Sequence, residues 1–457
     1  MLARTVDRAL SAIAIALAIS IAIAGWCDVS QAYDVWYYHL PFAGRMVGLL
    51  DARSFAFSAE NQVRYEGFPL FMELLQGVVW RVTDNPAATS FVAIASLFGL
   101  PVFLRRLYGT PLHVSLLALL AIPLVQIHAT SAYVDLPANV CVTMLLLLVH
   151  RVLVDRAALT WKLLAGAAAL AAAAANSKFQ LVPIVAVSAL VFTWLAIRAR
   201  DRRCLAVLAI AAPLVLATPL KNLALHDNPV WPVELTALGH RFPSAESAYS
   251  SAPAHLESSW RATRFVRSVL EIDNRPIASH ARWSLDQWTP PSEPGYRMGG
   301  YFGAYVVALL GGLGWAAWKR RRREDIVAAA LFGGVTVVAA LVPQSHELRY
   351  YMYWMITLVA LNLALWGRER RVTAGVIAFA ALAVVAWSTS GGYLYASGSS
   401  FADFLAQRVD RSVFEGITPG ARLCVQKQPF NVLYAPRFHP ELPPYTVQEQ
   451  AAPEDCR

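Results

Sequence analysis

Charge is what this chain has least of. Only 15% of its 457 residues are Asp, Glu, Lys or Arg, and 57% are hydrophobic. A soluble fold of this length carries about a quarter charged residues, so a soluble globular class is excluded. A Gly-rich phosphate loop is missing, as is an Asp-x-Asp pair in any segment that reads as cytoplasmic, which leaves nucleotide chemistry nowhere to sit. Repeats and low-complexity runs are missing too, apart from the Ala-rich stretch 165–175, which reads as close helix packing by small residues. The five cysteines constrain little. Cys141 and Cys204 lie in or beside apolar segments and read as packing residues. Cys424 and Cys456 fall in a tail where a disulfide could persist, and the spacing leaves that bond open.

What is present is a series of long apolar segments. Helices are expected near 9–26, 87–104, 112–129, 136–150, 161–176, 180–197, 204–220, 301–318, 325–342, 351–366 and 372–389, most of them long enough to cross about 30 Å of hydrocarbon. In lipid the backbone must satisfy itself, and Ala/Leu/Val runs of this length do so as helices. The expected class is therefore an all-α polytopic membrane protein with about eleven spans. The first segment follows Arg4 and Arg8 and could pass for a signal peptide. Gly25-Trp26-Cys27 is a poor cleavage site, however, and the segment reads as an uncleaved anchor.

The formal charge of +9 would suggest nucleic acid in a soluble protein. Here about half of the 39 Lys and Arg sit in short turns or at the N-terminus: Arg4/Arg8, Arg105/Arg106, Arg151/Arg156/Lys162, Arg198 to Arg203, Lys319 to Arg323, and Arg368/Arg370/Arg371. The positive-inside rule makes those places cytoplasmic, and no nucleic-acid partner is expected. The N-terminus is then inside and the C-terminus outside.

Three outer segments are large. Residues 27–86 hold two apolar patterns at helical spacing, Trp36/Leu40/Ala43/Val47/Leu50 and Phe68/Phe71/Met72/Leu75/Val78, with Pro41 acceptable in a first turn. They read as helices lying in the interface plane. The 221–300 loop is rich in Pro, Ser and Trp (Trp231, Trp283, Trp288), which suits an interfacial belt. The tail 390–457 begins helically over 401–413 and continues as strand-like runs at 422–426 and 431–434. Residues 1–389 thus form a membrane domain and 390–457 a small outer tail.

Ionised groups at membrane depth cost about 2.5–3.5 kcal/mol on insertion scales, so the polar residues that remain near span ends are informative. They collect on the outer side: Asp28, Asp34, His39, Arg64, Asp135, Lys178, Lys221, His346, Glu347 and Arg349. Asp34 stands first, in Asp34-Val35-Trp36-Tyr37-Tyr38-His39-Leu40-Pro41. It can serve as an N-cap for the helix that follows and as a general base in a partly dry, aromatic cleft, and the two roles are compatible.

An Asp followed five residues later by His-Leu-Pro, just after a first span, resembles the GT-C glycosyltransferases. The likeness is nearest to bacterial members related to protein O-mannosyltransferases and to the aminoarabinose transferase of lipid A. Pro69…Glu73-Leu74-Leu75, Tyr133-Val134-Asp135-Leu136-Pro137, Asn176-Ser177-Lys178-Phe179, Asp227-Asn228-Pro229-Val230-Trp231-Pro232 and Glu347-Leu348-Arg349-Tyr350 follow in order, over about residues 10–365. The resemblance implies a polyprenyl-phosphate sugar donor and a hydroxyl acceptor on a lipid, glycan or protein. It implies inversion at the sugar, on the outer face of a bacterial cytoplasmic membrane. Asp34 would be the base. Arg349, with its bidentate fork, and Lys178 would hold the donor phosphate, although both could instead be snorkelling interfacial cations. Asp135 would orient the acceptor or hold a divalent metal; no cofactor is otherwise implied. His39 and His346 are further ligand candidates or packing residues, and Glu73 reads as structural. An O-antigen ligase or polymerase and a lipid-linked-sugar flippase are the rival readings.

Overall fold

The computed structural model describes the chain apart from residues 238, 249–251, 273–274, 276, 284–295, 298–299, 368, 390–391, 427 and 451–457. Trp288 and Cys456 therefore lie outside the described residues. Six helices are long and apolar enough to cross a membrane, Leu2–Cys27, Ala87–Tyr108, Asp135–Val154, Phe179–Ala199, Arg323–Leu341 and Leu348–Trp366, or eight with two bent pairs counted as one span each. The helices Trp161–Ala175 and Arg371–Trp387 are shorter but apolar. The expected segment 301–318 forms the helix Gly303–Trp315 with a one-turn π-helix, Ala316–Arg320, after it. The protein is a polytopic helical membrane protein.

Local chemistry sets several helix ends. Asp201 accepts from the backbone N–H of Arg203 and Cys204 and starts the helix Arg202–Val215. Thr160 caps Trp161–Ala175 in the same way. These side chains satisfy amide groups that a first turn leaves without partners.

The segment expected as one helix over 112–129 is instead broken. Leu112–Leu120 and Pro123–Ala129 meet at 100°. Pro123 has no N–H to continue the ladder, and the Gln126 amide donates to the Leu120 carbonyl at 2.6 Å. Both pieces are buried almost throughout, so the irregular backbone meets protein rather than lipid. The pair Arg202–Val215 and Ala217–His226 bends by 50°, next to Pro213 inside its first helix.

Burial ranks the spans. Leu348–Trp366 is 89% buried over its apolar window and Asp135–Val154 72%, against 28% for Leu2–Cys27. The two innermost helices pack on each other and are stapled by Asn139. Its amide donates to the carbonyls of Asp135 and Arg349, and its oxygen accepts from the Tyr353 N–H at 2.8 Å. Their first turns carry Asp135 and Arg349.

After the first span, the first loop forms a π-helical turn Val35–His39, then helices Leu40–Met46, Ala59–Gly67 and Phe71–Thr83. Pro41 sits in a first turn. Leu40–Met46 and Phe71–Thr83 approach so closely that a Cβ at Gly77 would stand 2.4 Å from the Ala43 carbonyl oxygen. Only glycine fits there.

The tail differs from the sequence expectation in two places. Residues 431–434 form a 3-10 turn, Asn431–Tyr434, rather than a strand; the Asn431 amide turns back to the Gln426 carbonyl. A strand not expected, Tyr445–Gln450, is the middle of a three-stranded parallel sheet, between Ala421–Gln426 and Phe55–Ala56 of the first loop. Trp36, Phe55 and Trp80 of the first loop share an apolar core with Phe404, Leu433 and Val447 of the tail. Glu449 accepts from Ser58 N–H and the Asn61 amide, both at 3.1 Å, at the start of Ala59–Gly67. Cys424 is disulfide-bonded.

Candidate active site

Four charged residues from four parts of the chain meet at one end of the inner helices. Asp34 follows the first span, Asp135 and Arg349 begin the two most buried spans, and Lys178 lies in the turn between Trp161–Ala175 and Phe179–Leu181. Arg349 Nη1 donates to Asp34 Oδ2 at 2.9 Å, and Lys178 is ion-paired with Asp135. Asp135 is fully buried, whereas the Asp34 side chain keeps 20% of its exposure. An unpaired charge in such a place would carry a desolvation penalty of several kcal/mol; here Lys178 meets Asp135 and Arg349 meets Asp34, with Glu347 Oε2 a further 4.0 Å from Arg349 Nε.

Aromatic rings surround the quartet. Arg349 donates from Nη2 to the Tyr350 hydroxyl at 3.2 Å and lies 5.4 Å from the Tyr133 ring centroid. Lys178 Nζ stands 4.3 Å from the centre of the Tyr350 ring. Such contacts attract a cation to the ring face. Burial is the largest influence on Lys178 and makes its ammonium easier to deprotonate; Asp135 pulls the other way. Tyr38 stays a phenol well above its ordinary range, because it is buried and Asp34 is near.

The sequence candidates separate into groups. Asp34, Arg349, Lys178 and Asp135 come together. Asp34 makes no side-chain capping bond to the turn that follows it, so its carboxylate is committed to Arg349 instead. Its capping reading has no contact behind it. His39 is buried one layer away: its Nδ1 meets Glu73 Oε1 at 2.8 Å and its ring packs edge-on against Tyr133. His346 is buried on another side, 3.6 Å from Glu347, with Arg264 and His255 among its charged neighbours. Burial and those two groups push it down to about 4. Asp28 lies elsewhere, accepting from the backbone N–H groups of Ser397, Gly398 and Ser399.

Among the described residues no three His, Cys, Asp or Glu side chains converge as a metal shell. Asp135 faces Lys178 and Asp34 faces Arg349, so each of these two carboxylates meets a cation.

Sequence reasoning passed over Tyr38, Tyr133, Tyr350 and Asn139. Tyr133 and Tyr350 stand inside the quoted motifs, and Asn139 lies one helical turn beyond Asp135, a spacing that places both on one face. A polar residue there in an apolar span was a legible signal.

Beside the quartet runs an apolar groove of about 600 Å³ lined by Phe68, Phe71, Ala169, Ala173, Leu214 and Lys221, among others. It excludes Asp34 and Arg349. Phe68 connects the two, facing Tyr38 on one side and Phe179 on the other. Asn176 holds the groove wall through bonds to the Ala172 and Leu214 carbonyls and from Thr218.

No family model and no curated protein matches the chain. Solved structures do. ArnT from Cupriavidus metallidurans in the apo state matches at 13% identity and a TM-score of 0.55, covering 99% of this chain and 87% of that one. ArnT from the same organism bound to undecaprenyl phosphate matches at 14% and 0.55, covering 98% and 86%. The likeness runs the length of the chain, and the protein accordingly has the polytopic membrane fold seen in ArnT.

Proposed function

We propose that the chain is an inverting glycosyltransferase that moves a sugar from a polyprenyl-phosphate donor to a hydroxyl acceptor on the outer face of the cytoplasmic membrane. The observation that carries the reading is the pairing of a partly exposed carboxylate, Asp34, with a buried guanidinium, Arg349, beside a second buried cation, Lys178. The fold it sits in is that of ArnT, one of whose structures holds undecaprenyl phosphate.

In this reading all eleven apolar segments cross the bilayer, the N-terminus is cytoplasmic and the first-loop helices lie in the outer interface. Residues 1–389 form the membrane domain, and the tail 390–457 sits outside on the first loop. The groove beside Phe68 takes donor isoprenoid chain, and its phosphate reaches Arg349 and Lys178.

The quartet is neutral before substrate arrives. A donor phosphodiester brings one negative charge and competes with Asp34 for the Arg349 fork. As Arg349 turns to the phosphate, Asp34 is released and becomes a stronger base. The acceptor oxygen bonds to the anomeric carbon, its proton passes to Asp34, and the bond from that carbon to the phosphate oxygen breaks. The leaving polyprenyl phosphate gains a second negative charge, which Arg349 and Lys178 stabilise. Asp135 keeps Lys178 charged and oriented. His39 and Glu73 hold the ring of Tyr133 behind Arg349, and His346 braces Glu347 on its far side.

A flippase would place paired broken helices in two related halves. The two breaks here differ: one is a buried 100° turn, the other a 50° bend with Ile210, Leu214 and Leu225 exposed. They do not make a matched pair. The test is transfer by the purified protein from undecaprenyl-phosphate sugars to lipid or glycan acceptors. Movement of donor across a vesicle membrane with no transfer to any acceptor would overturn the enzyme reading.

A further inference from the structure

We propose a second lipid site, for an anionic phospholipid, at the opposite end of the bundle from Asp34. The first span is 26 residues long, about 39 Å as a helix, and Asp34 lies beyond its C-terminus. Near its N-terminus opens a groove of about 620 Å³ between the first span, the end of Ala87–Tyr108 and the start of the broken segment, within the range of small-molecule ligand pockets.

The walls are apolar and the mouth is basic. Ala14 and Ala18 leave room on the first span, facing Phe98 and Val102. Ile15 and Val102 are exposed at 61% and 41%, so the groove presents apolar surface to acyl chains. Arg105 and Arg371 stand at its mouth. Arg105 is exposed and, among the described residues, faces no carboxylate. Arg371 is 54% exposed, and Asp7 lies 3.7 Å from it while accepting also from His113. Asp7 thus stands against Arg371 alone of the two arginines, leaving net positive charge where a headgroup would sit. Basic pockets between spans on the cytoplasmic side select anionic headgroups. An apolar groove closed by two guanidinium forks accordingly fits a phosphatidylglycerol-like lipid: phosphate on Arg105 and Arg371, one chain against Ala14 and Ala18.

The site does not depend on the transferase reading, and its test uses no transfer assay. The purified full chain in neutral detergent is titrated with phosphatidylglycerol or with phosphatidylcholine of the same acyl chains, and the thermal midpoint is read. Phosphatidylglycerol should raise the midpoint and phosphatidylcholine should not. The double variant R105Q/R371Q should weaken the phosphatidylglycerol titration about thirtyfold, about fivefold coming from each lost charge. A18F, which keeps both charges and fills the groove, should abolish the response. Equal stabilisation by both lipids would overturn the proposal, as would a parental response in either variant.

Discussion

Neutralising Asp34 has a consequence that follows from its partner. In Asp34→Asn the amide oxygen still accepts from Arg349 Nη1, so the 2.9 Å geometry is kept while the charge and the basicity go. Loss of a positioned general base costs about 10²–10⁴-fold in turnover. Donor affinity moves the other way. With Asp34 ionised, the donor phosphate must displace a charge-assisted hydrogen bond worth about 1.5–3 kcal/mol net. The Asp34 side chain keeps 20% exposure, so solvent screening favours the lower end, and about 1.4 kcal/mol is tenfold in affinity. The variant should show kcat lower by two orders of magnitude or more and donor KM lower by roughly tenfold. Initial rates against donor concentration, with parent and variant purified side by side, separate the two effects. Parental turnover in Asp34→Asn sinks the base assignment. A donor KM that rises sinks the competition between carboxylate and phosphate for Arg349.

Arg349→Lys keeps the charge and loses the fork; we expect severely weakened donor use, by about 10-fold or more per lost charged hydrogen bond, with normal insertion, and full activity in Arg349→Ala would refute the assignment. Lys178 loses its proton more readily than an ordinary lysine, so donor use should fall on the alkaline side at a lower pH than a free lysine would allow. Arginine at that position stays charged and should move that limb upward; an unmoved pH profile in Lys178→Arg counts against a phosphate role. Arg321 sits in the left-handed cap of the turn after residue 320, a place assigned to the cytoplasm, and the thiol of Arg321→Cys should resist impermeant reagents applied outside intact cells.

Much of the fold was legible in the order of residues, because lipid forces each crossing backbone to satisfy itself locally. Apolar length alone located most of the helices, and the basic turns supply the orientation we propose for them. The break after Leu120 was not seen, although Pro123 marked it, because hydropathy continues unbroken through 112–129. The tail was misread for a different reason. Tyr445–Gln450 has partners at Ala421–Gln426 and, from the other end of the chain, Phe55–Ala56. A strand defined by distant pairing leaves little local trace.

The site divides along the same line. Scarcity of charge in an apolar chain drew attention to Asp34, Asp135, Lys178 and Arg349 among ten polar residues, since an ion near hydrocarbon needs a reason to be there, and the family resemblance set them apart from the other six. Which carboxylate meets which cation was settled only by packing. Asn139 staples the two innermost helices, and that staple brings Arg349 and Asp135 to one end of the bundle, where Asp34 and Lys178 reach them from loops. Coulomb attraction acts over a few ångströms in space, and no spacing along the chain records it.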